Sequence, residues 1–178
     1  MKTYIALFKG INVGGHKKVT MAELRELLSS KGFFNVKTYI QSGNVFFKSS
    51  VRNIQDLEKK IQKLVMDHFG FEVSVLVKTP ENLLQIFANC PFPEEQKKAS
   101  YFIMLHDSPD MNLVKEASEK IYEFDEYIIK NDCIYLFCEK GMGKSKFNPK
   151  YFERKLNTFA TARNYNTMLK LLSLSSDS

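Results

Sequence analysis

The chain has 178 residues, 44% of them hydrophobic and 13% aromatic, with a formal net charge of +6. That length suits one good-sized core or two small ones, and the apolar share excludes a disordered chain. No apolar run approaches the ~20 residues that span a bilayer, and the N-terminus enters "TYIALF" without a cleavage-site pattern, so a cytoplasmic protein with no membrane contact is expected. Three cysteines make no disulfide framework: Cys133 and Cys138 fall five apart in one expected strand and point to opposite faces. No closely spaced cysteine and histidine ligands occur, so neither a metal nor a cofactor is expected.

"TYIALF" reads as a central strand because it is almost continuously apolar. After a glycine-bearing loop, Thr20 and Glu23 form a capping box for a helix whose apolar face is Met21, Leu24, Leu27 and Leu28, with Gly32 as its stop. "NVKTYI" and "NVFFK", joined through "QSG", read as a hairpin. Asn53 caps a second helix with Ile54, Leu57, Ile61, Leu64, Val65 and Phe69 on one face; Gly70 ends it, and "EVSVLV" is a fourth strand. The order β-α-β-β-α-β is the ferredoxin-like one. Thr79-Pro80 then opens a helix, "SYFIML" is a strand, Asp110 to Lys120 a helix, and "EYIIK" with "CIYLFC" a hairpin about Asn131-Asp132; one or two helices close the chain from about Pro149. The expectation is an α+β fold: a ferredoxin-like half over 1–78 and a degenerate β-α-β-β-α half over 79–178 with C-terminal helices, the two making one compact body.

In this strand order the loop after the first strand and the first hairpin turn emerge at the same end of the sheet. Gly10, Asn12, Gly14, Gly15, His16, Lys17 and Lys18 therefore stand beside Gln41, Ser42, Gly43 and Asn44, a corner able to hold an anion on backbone N–H groups. Equally, the glycines can serve only to supply positive φ, and the two turns only to brace each other. "GINVGG" lacks the spacing of a dinucleotide fingerprint.

The charge is concentrated. Residues 139–170 hold eight basic residues against Glu139 and Glu153, which accounts for the whole net charge, and the first 22 residues carry four lysines and no acid. Lys140, Lys144, Lys146, Lys150, Arg163 and Asn164 are read as a basic surface for an anionic partner, with a solvated face as the plain alternative. "GMGKSKF" tempts as a P-loop, but Cys138 stands where that motif needs a glycine and the preceding strand belongs to a hairpin, so an ATPase is rejected.

Alternation puts Val36, Thr38, Ile40, Val45 and Phe47 toward the helices and Lys37, Tyr39, Phe46 and Lys48 on the other face, joined by Tyr4 and Phe8 if Ile5 and Leu7 face the helices. Exposed, such aromatics with lysines would stack bases as RNA-recognition motifs do; covered, they are core, and core is favoured for so many rings. Of the three histidines, His68 falls at a helix end and His106 at a strand end, leaving His16 with Lys17, Lys18 and Ser42 as what a reaction would have to use.

Two segments carry a family resemblance. "ALFKGINVGGHKKVTMAELRELLSSKGFFNVKTYIQSGNVFF" closely resembles the opening of the bacterial proteins grouped as domain of unknown function 1697, and "TARNYNTMLKLL" is similar to that family's closing threonine-x-arginine-asparagine segment. The resemblance implies an α+β fold with a ferredoxin-like half and implies no reaction. It marks Gly10, Asn12, Gly14, Gly15, Gln41 to Asn44, Thr161, Arg163, Asn164 and Thr167 as motif positions, with helix capping the plain role for Arg163 and Asn164. Lys9 stands where the family usually has arginine, so a bidentate contact there is lost. Function is thus read first as binding of a phosphate-bearing partner, nucleic acid or a phosphorylated small molecule. The alternatives are an enzyme with its site between the 10–18 loop and the 41–44 hairpin, and a protein-interaction or structural module.

Overall fold

The computed structural model describes residues 1–176, which form two four-stranded antiparallel sheets and seven α-helices. They divide into two units, one of Met1–Leu84 with residues 171–176, the other of Gln85–Lys170. None of the helices is long and apolar enough to cross a membrane.

The first unit runs β1 (Lys2–Phe8), α1 (Met21–Ser30), β2 (Phe34–Tyr39), β3 (Asn44–Ser49), α2 (Ile54–Phe69), β4 (Val75–Lys78), with strand order β2-β3-β1-β4. Local chemistry sets the helix ends. Thr20 accepts from the Glu23 N–H at α1, and Asn53 accepts from the Gln55 and Asp56 N–H groups at α2. Gly70 takes the left-handed φ of +77° that stops α2 and sends its N–H to the Met66 carbonyl. Leu24 and Leu28 of α1 and Leu57, Ile61 and Val65 of α2 pack on Val45 and Phe47 of β3, as the periodicity requires.

The central strand corrects one assignment. Tyr4, Ala6 and Phe8 face the helices, while Ile5 and Leu7 lie on the other side. A strand apolar on both faces carries no polar marker of its parity; the register Tyr4 opposite Phe47 fixes it instead, and the two rings stack 5.7 Å apart. Ile40, expected on the helix face, is exposed and sits outside β2 at φ +51°. Phe46 is only 2% exposed and Tyr39 is half-buried, so the face that would stack bases if open is core at Phe46.

The second unit runs α4 (Glu94–Lys98), β5 (Ser100–Leu105), α5 (Met111–Ser118), β6 (Asp125–Lys130), β7 (Cys133–Cys138), α6 (Pro149–Lys155), β8 (Ala160–Asn164), with order β6-β7-β5-β8. The helix α3 (Pro80–Ala88) precedes it, and α7 (Tyr165–Ser176) follows. Strand for strand this is the order of the first unit. The half expected to lack a strand has it in β8, which pairs antiparallel along β5 from Tyr101–Asn164 to Leu105–Ala160. The five residues "ATARN" carry no strand signature, so a closing helix was the expectation there.

An aromatic cluster fills the base of this unit. Phe147 stacks on Phe152 at 4.6 Å and 7°, with Tyr127 edge-on to both. The Tyr127 hydroxyl donates between the carbonyls of Ala117 (2.7 Å) and Lys120 (2.6 Å). Burial, followed by the neighbouring Tyr122 and Tyr151, pushes its pKa up to about 12. The folded phenol thus titrates above the unfolded value near 10, so its contribution is whole below pH ~10 and is lost as pH climbs toward 12. Urea midpoints should fall over that window, and Tyr127→Phe should flatten the fall; an equal fall in the variant would refute the assignment.

Candidate functional site

The corner between the β1–α1 loop and the β2–β3 turn is tied together from both sides. The Phe8 N–H donates to the Gly43 carbonyl at 2.8 Å. One amide side chain does most of the rest: Asn12 Nδ2 donates to the carbonyls of Val19 and Gln41, both at 2.9 Å, and Oδ1 accepts from the Val19 N–H at 2.8 Å. Asn12 thus closes its own loop onto Val19 and clips that loop to the hairpin, from a left-handed φ of +55° that asparagine tolerates. On the hairpin, buried Asn44 donates to the Tyr39 carbonyl and to Ser42 Oγ, which shapes the turn from within.

Gly43 shows how tight the seam is. At φ +75°, a Cβ there would lie 2.6 Å from both Ile11 Cδ1 and Phe8 Cβ. The space between the two turns is filled by Ile11, Phe8 and the Asn12 amide, so whatever approaches this corner meets its outer rim.

That rim is a miniature hairpin. Asn12 N–H donates to the Lys17 carbonyl at 3.2 Å and His16 N–H to the Val13 carbonyl at 3.1 Å. Gly14 and Gly15 between them have φ +58° and +78°, the signs of a two-residue type I′ turn. The glycines answer a hairpin's demand, and no heavy atom stands within 4 Å of a Cβ built on Gly15. Val13 to Lys18 are all exposed. Lys17 Nζ donates to the Glu72 carbonyl and lies 5.9 Å from the Phe71 ring centroid, which anchors the hairpin's return limb. The His16 and Lys18 side chains have no partner among the described residues. Topology therefore brings Gly10–Lys18 and Gln41–Asn44 together; His16 projects from the tip.

The expected basic surface of the second unit resolves into different environments. Arg163 does not belong to a surface: it is 7% exposed on β8, donating to Thr161 Oγ1 (2.9 Å) and the Ala162 carbonyl (2.8 Å), and burial lowers its pKa to about 10. Asn164 accepts from the Thr167 N–H at 2.9 Å and caps α7, its plain role. Lys140 covers the Phe124 ring. Lys144, Lys146 and Lys150 are exposed, the last in the first turn of α6 and the other two on a segment pinned by Asp125, whose Oδ2 accepts from Ser145 Oγ (2.8 Å) and the Lys146 N–H (3.1 Å).

Elsewhere, His106 Nδ1 pairs with Asp107 Oδ2 at 2.7 Å and its ring stacks on Phe159, while His68 Nε2 pairs with Glu23 Oε1 at 2.8 Å, joining the end of α2 to the start of α1. Among the described residues no disulfide joins the cysteines, and no group of three or more histidine, cysteine, aspartate or glutamate side chains could hold a metal ion. Sequence reasoning passed over the run "YEFDE", Tyr122–Glu126, whose rings and carboxylates line a groove in the second unit. Their interleaving was the available signal.

Compared with known proteins, residues 1–135 match the family model described as "Protein of unknown function (DUF1697)". Among solved structures, the conserved bacterial protein SP0830 from Streptococcus pneumoniae is similar in fold, with a TM-score of 0.72, 24% identity, and 97% of this chain and 98% of that one covered. No functionally curated protein matches the chain.

Proposed function

We propose that this chain, which belongs to the DUF1697 family of proteins of unknown function, binds a phosphate-bearing ligand at the outer rim of the corner after β1. One observation carries the reading: a braced hairpin presents His16, Lys18 and an unobstructed glycine backbone together, in a stretch of 22 residues without a carboxylate. Glycine lets an anion approach the main chain, and the Asn12 clip holds the hairpin in place before a ligand arrives, which reduces the ordering cost of binding. Lys144, Lys146 and Lys150 offer the second unit's own contacts to a longer polyanion. The filled seam favours binding from outside over a reaction enclosed between the two turns.

The test is a salt titration with a single-stranded oligonucleotide alongside a nucleoside triphosphate. Binding to the oligonucleotide should weaken with a log–log slope of about −0.7 per phosphate neutralised. The pair His16→Glu and Lys18→Glu should lower affinity at least about tenfold and reduce that slope. Reversing exposed Lys59 on α2 should do neither. No binding of either probe at low salt, or equal losses from Lys59→Glu, refutes the proposal.

A further inference from the structure

The second unit, in a protein of net charge +6, holds an open groove of the opposite character. Its volume is about 600 Å³, within the range of small-ligand sites. Three rings line it, Tyr122, Phe124 and Phe137, together with three carboxylates, Glu123, Glu126 and Glu139. The register opposes Glu126 to Phe137 on adjacent strands, and the Glu139 N–H donates to the Phe124 carbonyl at 3.0 Å, so sheet backbone holds ring and acid side by side. None of the three carboxylates has a hydrogen bond or ion pair among the described residues. The fourth acid of the groove, Asp125, is occupied in pinning the 145–146 loop.

A separate observation shows what such a surface accepts. The Lys140 ammonium sits 3.0 Å from the Phe124 ring centroid, well inside the range of a cation–π contact. The chain's own alkylammonium has settled on the groove's most exposed ring, which is 38% accessible. On the same run of residues, Lys144 and Lys146 border an adjoining cleft of only about 30 Å³, room for about one water, which shares Tyr122, Glu123, Phe124 and Asp125 with the groove. Glu126 and Glu139 line the groove but not this lysine-bordered cleft, so they are the carboxylates open to further cationic groups.

We infer that this groove is a binding site for a free aliphatic polyamine, one ammonium seated on Phe124 in place of Lys140 and others along Glu126 and Glu139. Flexible methylene segments suit an open groove floored by rings, and primary ammonium groups match carboxylates that lack partners. The site is distinct from the rim after β1 that carries the anion-binding reading: it lies in the other unit and selects the opposite charge.

Calorimetric titration of the full chain with spermine tests it, at fixed ionic strength and with magnesium and tetralysine as competing probes. Saturable spermine binding is expected. It should weaken about tenfold or more in Glu126→Gln/Glu139→Gln and severalfold in Phe124→Leu, which keeps an apolar side chain while removing the π face. Lys140→Gln should tighten it by vacating the ring. These side chains are at or near the surface, and urea midpoints matching the unmodified chain confirm that the variants fold. Three results would overturn the inference: no saturable binding at millimolar spermine, displacement by magnesium with no effect of Phe124→Leu, or tetralysine binding more tightly than spermine, which would point to a protein segment as occupant.

Discussion

Gly43→Ala should destabilise the first unit by about 2–5 kcal/mol, read as a lower urea midpoint at unchanged m-value. Two effects add. The left-handed φ of +75° disfavours any L side chain by about 1–2 kcal/mol, and a methyl placed 2.6 Å from Phe8 Cβ and Ile11 Cδ1 overpacks a filled seam by about 1–3 kcal/mol. Phe8 Cβ is fixed by its strand, so the methyl cannot be accommodated by a rotamer change; the β2–β3 turn has to move. Gly15→Ala is the matched control. It has the same sign of φ, at +78°, and open space, so only the backbone effect of about 1 kcal/mol should appear. Equal losses at the two positions would show that packing at the seam contributes nothing.

The second large effect belongs to Asn12. Asn12→Ala removes three hydrogen bonds at once, leaves the buried Val19 backbone without its partner amide, and places alanine at φ +55°. A loss of about 2–4 kcal/mol is expected, since each net bond is worth roughly 0.5–1.5 kcal/mol and a stranded buried group more. Asn12→Gly separates the causes: it accepts the backbone angle but makes none of the bonds, so it should recover only the strain, about 1 kcal/mol. Amide exchange supplies a second readout. Val19 N–H, which donates to Asn12 Oδ1, should lose protection in both variants while the core strand β1 keeps its own. Full stability in Asn12→Gly would mean that the side chain braces nothing.

The features that were legible in the sequence are those fixed by neighbours in the chain. Thr20, Asn53 and Asp110 cap their helices because a side-chain oxygen meets an N–H two or three residues on, and Gly70 stops α2 by its own backbone angle. The adjacency of the two turns at the corner was legible for a topological reason: the strand order leaves both connections at one end of the sheet. What that adjacency consists of was not legible. Nothing in "GINVGG" announces that Asn12 bonds Gln41, 29 positions away. The same limit explains β8. Its strand identity comes from pairing with β5, some sixty positions earlier, while its own residues, two alanines, a threonine, an arginine and an asparagine, state no preference. Net charge was likewise a poor guide to position. Arg163 counted with the lysines in a sum over residues 139–170, yet it is buried on β8, whereas Glu126 disappeared into a near-neutral remainder and Glu139 was outweighed by the basic residues of its segment, although the two line one groove.

The assignment of Leu171 onward to the same unit as Met1–Leu84 bears on how the protein is made. A ribosome delivers the first unit's sheet and both its helices early, then the whole of Gln85–Lys170, and only afterwards the buried Leu171 that belongs with the first. At about 5–20 residues per second, the interval is on the order of ten seconds, far longer than helices and hairpins take to form. During it the nascent first unit is complete in its strands but lacks its last contributor. The second unit, by contrast, is continuous in sequence and is finished at Lys170, partway through α7. The later segment to be synthesised is therefore the one able to close first, and delivery of Leu171 is what completes the earlier one.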